Sequence, residues 1–133
     1  MKMAITVGIT HKVTVKVTED LLASSVGSGL VRVFATPMMI AQMELAASEC
    51  IAGELEEGQA SVGTELHVAH SAASPLGVTI TTTATVTAID RRRVDFTVTA
   101  SDDAGEIGAG THTRFIVQTE KFMEKAVERA AGF

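Results

Sequence analysis

The sequence is organised around residues 36–52, which read Thr36-Pro37-Met38-Met39-Ile40-Ala41-Gln42-Met43-Glu44-Leu45-Ala46-Ala47-Ser48-Glu49-Cys50-Ile51-Ala52. This stretch is apolar on nearly every side of a helical projection, and such a helix has to be buried. Thr36 can cap the first-turn amides, Pro37 suits the first helical position, and Gly53 with the polar residues after it ends the helix. Glu44 is the exception, because a carboxylate buried within an apolar helix requires a partner.

The segments on either side of this helix alternate between apolar and polar residues, which is typical of half-buried strands. Strands are predicted at residues 11–17, 61–70, 78–88, 94–100 and about 106–118. A short helical turn at 18–23, a mobile loop at 24–29, an extended segment at 30–34 and a final amphipathic helix capped by Thr119 complete the prediction. One strand, one buried helix and four antiparallel strands is the order of elements in the hotdog fold, an α+β fold in which a curled antiparallel sheet wraps around a long central helix.

The alternation also assigns side chains to the two faces of each strand. In the strand at 61–70, Val62, Leu66 and His70 are predicted to share the face towards the core, with Gly63 on the opposite face. His67 and His70 are three residues apart, so their rings are predicted to point to opposite faces. The H-x-x-H spacing on a strand therefore does not predict a shared metal site.

Length and composition limit the class of protein. A chain of 133 residues can bury one core, so residues 1–133 are predicted to form a single domain. No apolar run reaches the roughly 18 residues of a membrane span, and residues 1–8 do not form a secretory signal. The lone Cys50 agrees with a reducing compartment, which favours a cytoplasmic location. A net charge of −5 and the absence of Trp and Tyr argue against nucleic acid as a partner.

Several short motifs of the chain occur together in one known family. They are Val33-Phe34-Ala35-Thr36, Met43-Glu44, Ser61-Val62-Gly63-Thr64, His70-Ser71-Ala72-Ala73-Ser74-Pro75, Glu106-Ile107-Gly108-Ala109-Gly110-Thr111-His112-Thr113-Arg114 and Glu120-Lys121-Phe122. From about Val33 to about Phe122, their order and intervals resemble the fluoroacetyl-CoA thioesterase family. The resemblance implies a homodimeric hotdog hydrolase that cleaves acyl-CoA thioesters without a metal ion or other cofactor.

The resemblance implies catalytic positions for Thr36, Glu44 and His70, and accessory, substrate-binding positions for Gly63 and Arg114. Thioester hydrolysis needs a base, a proton for the departing thiolate and donors for the oxyanion. His70 is the natural proton shuttle, and Glu44 could orient it or act itself as base or nucleophile. Thr36 could position the water, attack the carbonyl carbon, or lie beside helix amides that receive the oxyanion.

Each of these residues also has a purely structural interpretation. Thr36 could be only a helix cap, Glu44 only half of an ion pair, His70 only a hydrogen-bonded core residue, and Arg114 only a salt-bridge partner. Eight residues separate Thr36 from Glu44, which is about 12 Å along a helix axis. Either His70 therefore bridges them, or the site takes residues from two subunits.

A cysteine, three methionines and a run of arginines remain to be interpreted. Cys50 is predicted to be a small core residue. Met38, Met39 and Met43 are interpreted as core, with an acyl pocket as the alternative. The run Arg91-Arg92-Arg93 is interpreted as a solvated turn, with an anchor for the CoA phosphates as the alternative.

The segment ahead of the central helix reads Leu21-Leu22-Ala23-Ser24-Ser25-Val26-Gly27-Ser28-Gly29-Leu30, where the resembled enzyme carries a phenylalanine-bearing lid. Phe34 is the first aromatic residue of this chain and is taken as a substrate-binding candidate. Small residues here predict an acyl-CoA thioesterase for ordinary short or medium acyl groups, with aromatic ones as further candidates. The alternatives are a non-catalytic acyl-CoA-binding hotdog module and a hotdog dehydratase or hydratase.

Overall fold

A five-stranded antiparallel sheet carries a long helix on one of its faces. The computed structural model describes residues 5–132. The strands are β1 (Thr10–Lys16), β2 (Gln59–His70), β3 (Thr79–Asp90), β4 (Arg93–Asp102) and β5 (Gly105–Gln118), in the spatial order β1-β3-β4-β5-β2. The helices are α1 (Ala23–Val26), α2 (Thr36–Ala52) and α3 (Thr119–Ala131). Residues 1–4, part of the stretch interpreted as lacking a secretory signal, lie outside the described residues.

Helix α2 packs across β1, β2, β3 and β4, so the predicted hotdog architecture is confirmed. Its buried side chains recur at helical spacing and are Met39, Met43, Ala46, Ala47 and Ile51. They belong to one core with inward residues of β3 and β4, among them Ile80, Ala84, Val86, Phe96 and Val98. The opposite face of α2, with Pro37, Ala41 and Leu45, is exposed in the single chain. The expectation that the helix is buried on all sides is therefore wrong for one chain, because the sheet covers only one side of it.

Neither predicted threonine cap is present. Ala35 and Gln118 are the N-cap residues of α2 and α3, and neither helix has a side-chain cap hydrogen bond. Thr36 and Thr119 are already the first helical residues, so their hydroxyl groups are not at the position from which a cap accepts amide hydrogens. The hydroxyl of Thr36 is consequently available for a contact outside the helix.

The segment before α2 is more ordered than predicted. A 3-10 turn at Glu19–Leu21 occupies part of the predicted helical turn, and α1 lies where a mobile loop was expected. Gly27 ends α1 with φ of 84°, a left-handed conformation that favours glycine. The extended segment predicted at 30–34 is reduced to isolated bridges made by Val33 and Phe34. None of the helices in residues 5–132 combines the length and apolar character that a membrane crossing requires.

A β-bulge in β2 changes which face of the strand its residues occupy. Gly63 pairs with Arg114, but the next pair along the ladder joins Glu65 to Thr113, so Thr64 is an extra residue. Because an extra residue reverses the alternation, Gly63 and His70 both face α2. The prediction that they occupy opposite faces is wrong, because strict alternation does not include bulges. Val62 was also predicted to face the core. It lies on the outer face instead, where it pairs across the strands with the exposed Phe115.

Candidate active site

The first cluster of predicted site residues lies where α2 begins and β2 ends. Thr36 Oγ1 is 2.8 Å from His70 Nδ1. The ring of Phe34, only 1% exposed, packs edge-to-face against the imidazole with a centroid distance of 6.4 Å. Among residues 5–132, the buried Nε2 of His70 has no hydrogen-bond partner. The imidazole is thus held by Thr36 and Phe34, while its Nε2 is buried without a hydrogen-bond partner among these residues.

The protonation state of His70 follows from its surroundings. Burial lowers the pKa of His70 below its ordinary value, and the backbone of Ala72 partly offsets the decrease. Desolvation disfavours the charged imidazolium, so His70 is neutral near pH 7. A neutral imidazole can accept a proton, which is the form required of a general base.

A cavity of about 350 Å³ opens beside this pair. The residues that line it are mostly small, and they are Ala23, Ser28, Val33, Phe34, Thr36, His70, Ser71, Ala72 and Ala73. Ala23 and Ser28 come from the segment ahead of α2, where the sequence predicted no aromatic lid. The cavity therefore places His70 and Thr36 at an open space with few bulky side chains.

The second cluster contains the other three predicted residues, Glu44, Gly63 and Arg114. Arg114 Nη1 lies 3.6 Å from Glu44 Oε2, and the two side chains are 8% and 42% exposed respectively. Glu44 is therefore not the buried carboxylate that the sequence predicted. A Cβ atom on Gly63 would lie 2.6 Å from Glu44 Oε2, so this carboxylate can occupy its position only above a residue without a side chain.

Arg114 is fixed by partners that the sequence did not assign to the site. Its Nε and Nη2 donate to Ser61 Oγ and Ser61 O at 2.8 and 2.9 Å, and Nη1 lies 3.2 Å from His112 Nε2. Burial lowers the pKa of Arg114, and the Glu44 carboxylate partly offsets this effect. The signal for His112 was available, because residues two apart on a strand share a face.

The two clusters are separate within one chain. Thr36 and Glu44 lie about 12 Å apart along the axis of α2. In the described residues, His70 bonds to Thr36 and makes no hydrogen bond to Glu44, whose ion-pair partner is Arg114. Of the two arrangements left open by the sequence, a bridge formed by His70 inside one chain is therefore not observed.

The remaining candidates are more ordinary. His67 pairs with Glu65 at 2.9 Å on the surface, and residues 5–132 contain no group of three side chains suited to a metal ion. Met39 and Met43 are fully buried core residues. Burial raises the pKa of the Cys50 thiol, which disfavours the reactive thiolate.

Arg91 and Arg92 form the turn between β3 and β4, and Arg93 is the first residue of β4. Arg93 Nε donates to Asp95 Oδ1 at 3.0 Å, and Arg91 has a left-handed backbone with φ of 57°. The run is thus a surface turn, as predicted. Its alternative role as an anchor for the CoA phosphates stays a prediction.

Comparisons with known proteins agree with this description. The family model described as fluoroacetyl-CoA-specific thioesterase matches residues 17–120. The fluoroacetyl-CoA thioesterase of Streptantibioticus cattleyicolor is 42% identical over 97 residues, which cover 73% of this chain and 70% of that protein.

Two solved structures share the fold over most of their length. A variant of the fluoroacetyl-CoA-specific thioesterase in complex with fluoroacetate and CoA is 35% identical, with a TM-score of 0.85 and coverage of 89% of this chain and 99% of that one. A hot-dog-like protein from Thermanaerovibrio acidaminovorans is 28% identical, with a TM-score of 0.85 and coverage of 92% and 91%. The chain therefore belongs to the fluoroacetyl-CoA-specific thioesterase family.

Proposed function

We propose that this protein hydrolyses the thioester bond of short or medium acyl-CoAs, with aromatic acyl groups as further candidate substrates. The observation that carries the proposal is the Thr36–His70 pair in the lining of a cavity, with His70 Nε2 unpartnered among residues 5–132. Membership of a thioesterase family supports the same reaction class. Such a pair supplies a proton acceptor beside a hydroxyl group, which is the arrangement that activates a nucleophile for acyl transfer.

The proposed reaction begins when a water molecule or the Thr36 hydroxyl attacks the thioester carbonyl carbon. His70 accepts the proton released by that attack, and the carbonyl oxygen becomes an oxyanion. Collapse of the tetrahedral intermediate breaks the C–S bond, and His70 returns the proton to the thiolate as CoA leaves. The water route gives the carboxylic acid directly, whereas the Thr36 route forms an ester that a second water molecule hydrolyses.

The tautomer of His70 separates these two routes. If Nε2 carries the proton, Nδ1 accepts from the Thr36 hydroxyl and activates it as the nucleophile. If Nδ1 carries the proton, it donates to Thr36 Oγ1, and Nε2 is the base that activates water.

Glu44 is assigned a role as an orienting or reacting carboxylate. Arg114 is its partner, and Phe34 and Gly63 shape the site.

The proposed active unit is a homodimer formed by pairing two β2 edges. Strand β2 lies at the end of the sheet order and carries Gly63 in its first half and His70 at its end. Antiparallel pairing of two such edges brings the His70 end of one protomer beside the Gly63 end of its partner. In this arrangement, Glu44 of the partner subunit would lie near Thr36 and His70 and complete the catalytic set. The partial exposure of Glu44 in one chain is consistent with it.

The expected location is the cytoplasm, because Cys50 is a free cysteine.

The experiment that tests the function is a measurement of free CoA released from acetyl-, butyryl- and phenylacetyl-CoA. We expect release from at least one of them, and at least an approximately hundredfold lower turnover in His70→Ala and Glu44→Gln, as for lost acid-base groups. A non-catalytic binding module would bind the acyl-CoA and release no thiol. A hydratase would consume an enoyl-CoA without release of CoA, and either result would overturn the proposal.

A further inference from the structure

His112 lies beside the second cluster, formed by Glu44, Gly63 and Arg114, and is only 1% exposed. Its Nδ1 is 2.9 Å from the carbonyl oxygen of Glu65. Because a carbonyl oxygen only accepts hydrogen bonds, the proton lies on Nδ1 and is donated to Glu65 O. The other nitrogen, Nε2, is then unprotonated and accepts from Arg114 Nη1 at 3.2 Å. Both ring nitrogens are thus used by the protein, and neither is available to a substrate.

The plane of the His112 ring is fixed by packing as well as by hydrogen bonds. Phe96, a fully buried residue of β4, stacks on it with a centroid distance of 6.1 Å and an interplanar angle of 27°. On the side of β2, a Cβ atom on Gly63 would lie 3.0 Å from His112 Cε1. The stacking on Phe96 and the hydrogen bond to Glu65 O keep Nε2 pointed at the Arg114 guanidinium.

The arrangement around Arg114 shows what His112 accomplishes. Ser61 takes two of its donor groups, Nε and Nη2, and His112 takes Nη1. The same Nη1 is the atom that lies 3.6 Å from Glu44 Oε2. A buried guanidinium needs a partner for each donor direction, and without His112 the nitrogen nearest to the carboxylate has lost its only hydrogen-bond acceptor in residues 5–132.

We propose that His112 is a positioning residue, which as a neutral imidazole holds Nη1 of Arg114 beside the carboxylate of Glu44. The proposal rests on the proposed function, since it assumes that Glu44 acts in thioester hydrolysis. Burial lowers the pKa of His112, the charge of Arg114 acts in the same direction, and the Glu65 carbonyl and Glu44 oppose both effects. Protonation of Nε2 would point a donor at a guanidinium that is itself a donor, and the contact would be lost.

The matched variants are His112→Gln and His112→Phe. Gln keeps an acceptor oxygen near the position of Nε2, whereas Phe keeps a flat ring against Phe96 and removes the acceptor. We expect the Phe variant to lose about 10- to 100-fold in kcat with little change in KM, and the Gln variant to stay within about threefold of the wild type. Circular dichroism and Tm measurements show whether each variant is folded, and His112→Asn replaces the Phe variant if it is not.

A double-mutant cycle distinguishes positioning from a general structural role. If His112 acts through Arg114, adding His112→Phe to Arg114→Gln should lower kcat little further, whereas independent structural losses would multiply. Multiplying effects, or a folded His112→Phe variant with wild-type kcat, would overturn the proposal.

One measurement does not depend on catalysis. Nitrogen-15 NMR of labelled histidine should show His112 neutral with its proton on Nδ1 at pH 7, and a charged ring or a proton on Nε2 would refute the proposal. If the wild-type protein has this tautomer but releases no CoA, the result counts against the thioesterase function and not against the position of His112. The two proposals can therefore fail separately.

Discussion

The hydroxyl oxygen of Thr36 lies 2.8 Å from Nδ1 of His70, and this contact joins the first residue of α2 to the last residue of β2. The two residues are far apart in the sequence, and the Thr36 hydroxyl is available for this contact because Ala35, not Thr36, is the N-cap residue of α2. It also places a hydroxyl group and an imidazole at one cavity. The chemistry proposed for the protein depends on this pair more than on any other contact.

The first prediction separates the two roles of Thr36. Thr36→Val keeps the volume and branching of the side chain but removes the hydroxyl, whereas Thr36→Ser keeps the hydroxyl. If Thr36 is the nucleophile, the Val variant should lose at least about a thousandfold in kcat, and if it only orients water the loss should be about tenfold. Single-turnover kinetics of both variants with one acyl-CoA make the comparison. A Val variant with wild-type kcat would remove Thr36 from the mechanism altogether.

The second prediction tests whether the site spans two protomers. In a shared site, a heterodimer of His70→Ala and Glu44→Gln contains one site with both native residues. An equal mixture, after dissociation and reassociation, should therefore regain about a quarter of the wild-type activity. If each site lies within one chain, every site in the mixture keeps one lesion and no activity returns. Sedimentation at micromolar concentration should show the dimer, and an active monomer would refute this assembly.

The third prediction concerns the missing side chain at Gly63. In Gly63→Ala, the new Cβ atom would displace the Glu44 carboxylate and press on His112 and Arg114. We expect about 10- to 100-fold lower kcat and a free energy of unfolding lower by about 1–3 kcal/mol. Gly53→Ala is the control, since no atom lies within 4 Å of its Cβ position and its φ is −69°. Equal activity of the two variants would show that the Glu44 position is unimportant.

The fourth prediction follows from the lowered pKa values of His70 and His112, both caused first by burial. An unfolded histidine has a pKa of about 6.5, so below that pH the unfolded chain binds protons before the folded chain does. The free energy of unfolding should therefore decrease as the pH falls from about 6.5 towards 5 and level off below the folded pKa values.

Urea denaturation across this range provides the measurement, and the free energy of unfolding of His112→Gln should decrease less steeply with falling pH.

Two aspartates also have lowered pKa values. Burial raises the pKa of Asp95, but hydrogen bonds from Thr113 and Arg93 outweigh this effect, and the pKa of Asp102 is lowered chiefly by the Ser74 hydroxyl. Stability from these two groups is lost only as the pH falls below about 3.9, so it lies outside the range. An unchanged free energy between pH 7 and 5 would contradict the assignment of buried neutral histidines.

The fifth prediction concerns the acyl group. The cavity beside His70 is lined mainly by small residues, and its aromatic residue, Phe34, is packed against the imidazole and does not form a lid. We expect kcat/KM for acetyl-, butyryl- or phenylacetyl-CoA to be comparable with that for fluoroacetyl-CoA. A preference for the fluorinated substrate above about a thousandfold would show that another group closes the site, since a loosely fitted apolar pocket cannot supply such discrimination.

The amino-acid sequence by itself determined the order of elements and the family. Residues 36–52 predicted α2, because a long apolar run with Pro37 near its start and Gly53 after its end has few other conformations. The predicted cap was one residue off, since Thr36 is itself helical and Ala35 is the N-cap. The five strands followed from alternation, which depends only on neighbouring residues. The site residues were named from local motifs, and the structure places each of the six at one of two clusters.

Tertiary structure alone decided how those residues meet. The bulge at Thr64 turns Gly63 towards α2, and the contact with His70 gives the Thr36 hydroxyl its partner. Glu44 is half exposed because the sheet of one chain covers only one side of its helix. Each of these features depends on strand register and on side chains far apart in the sequence, and local periodicity carries no information about either.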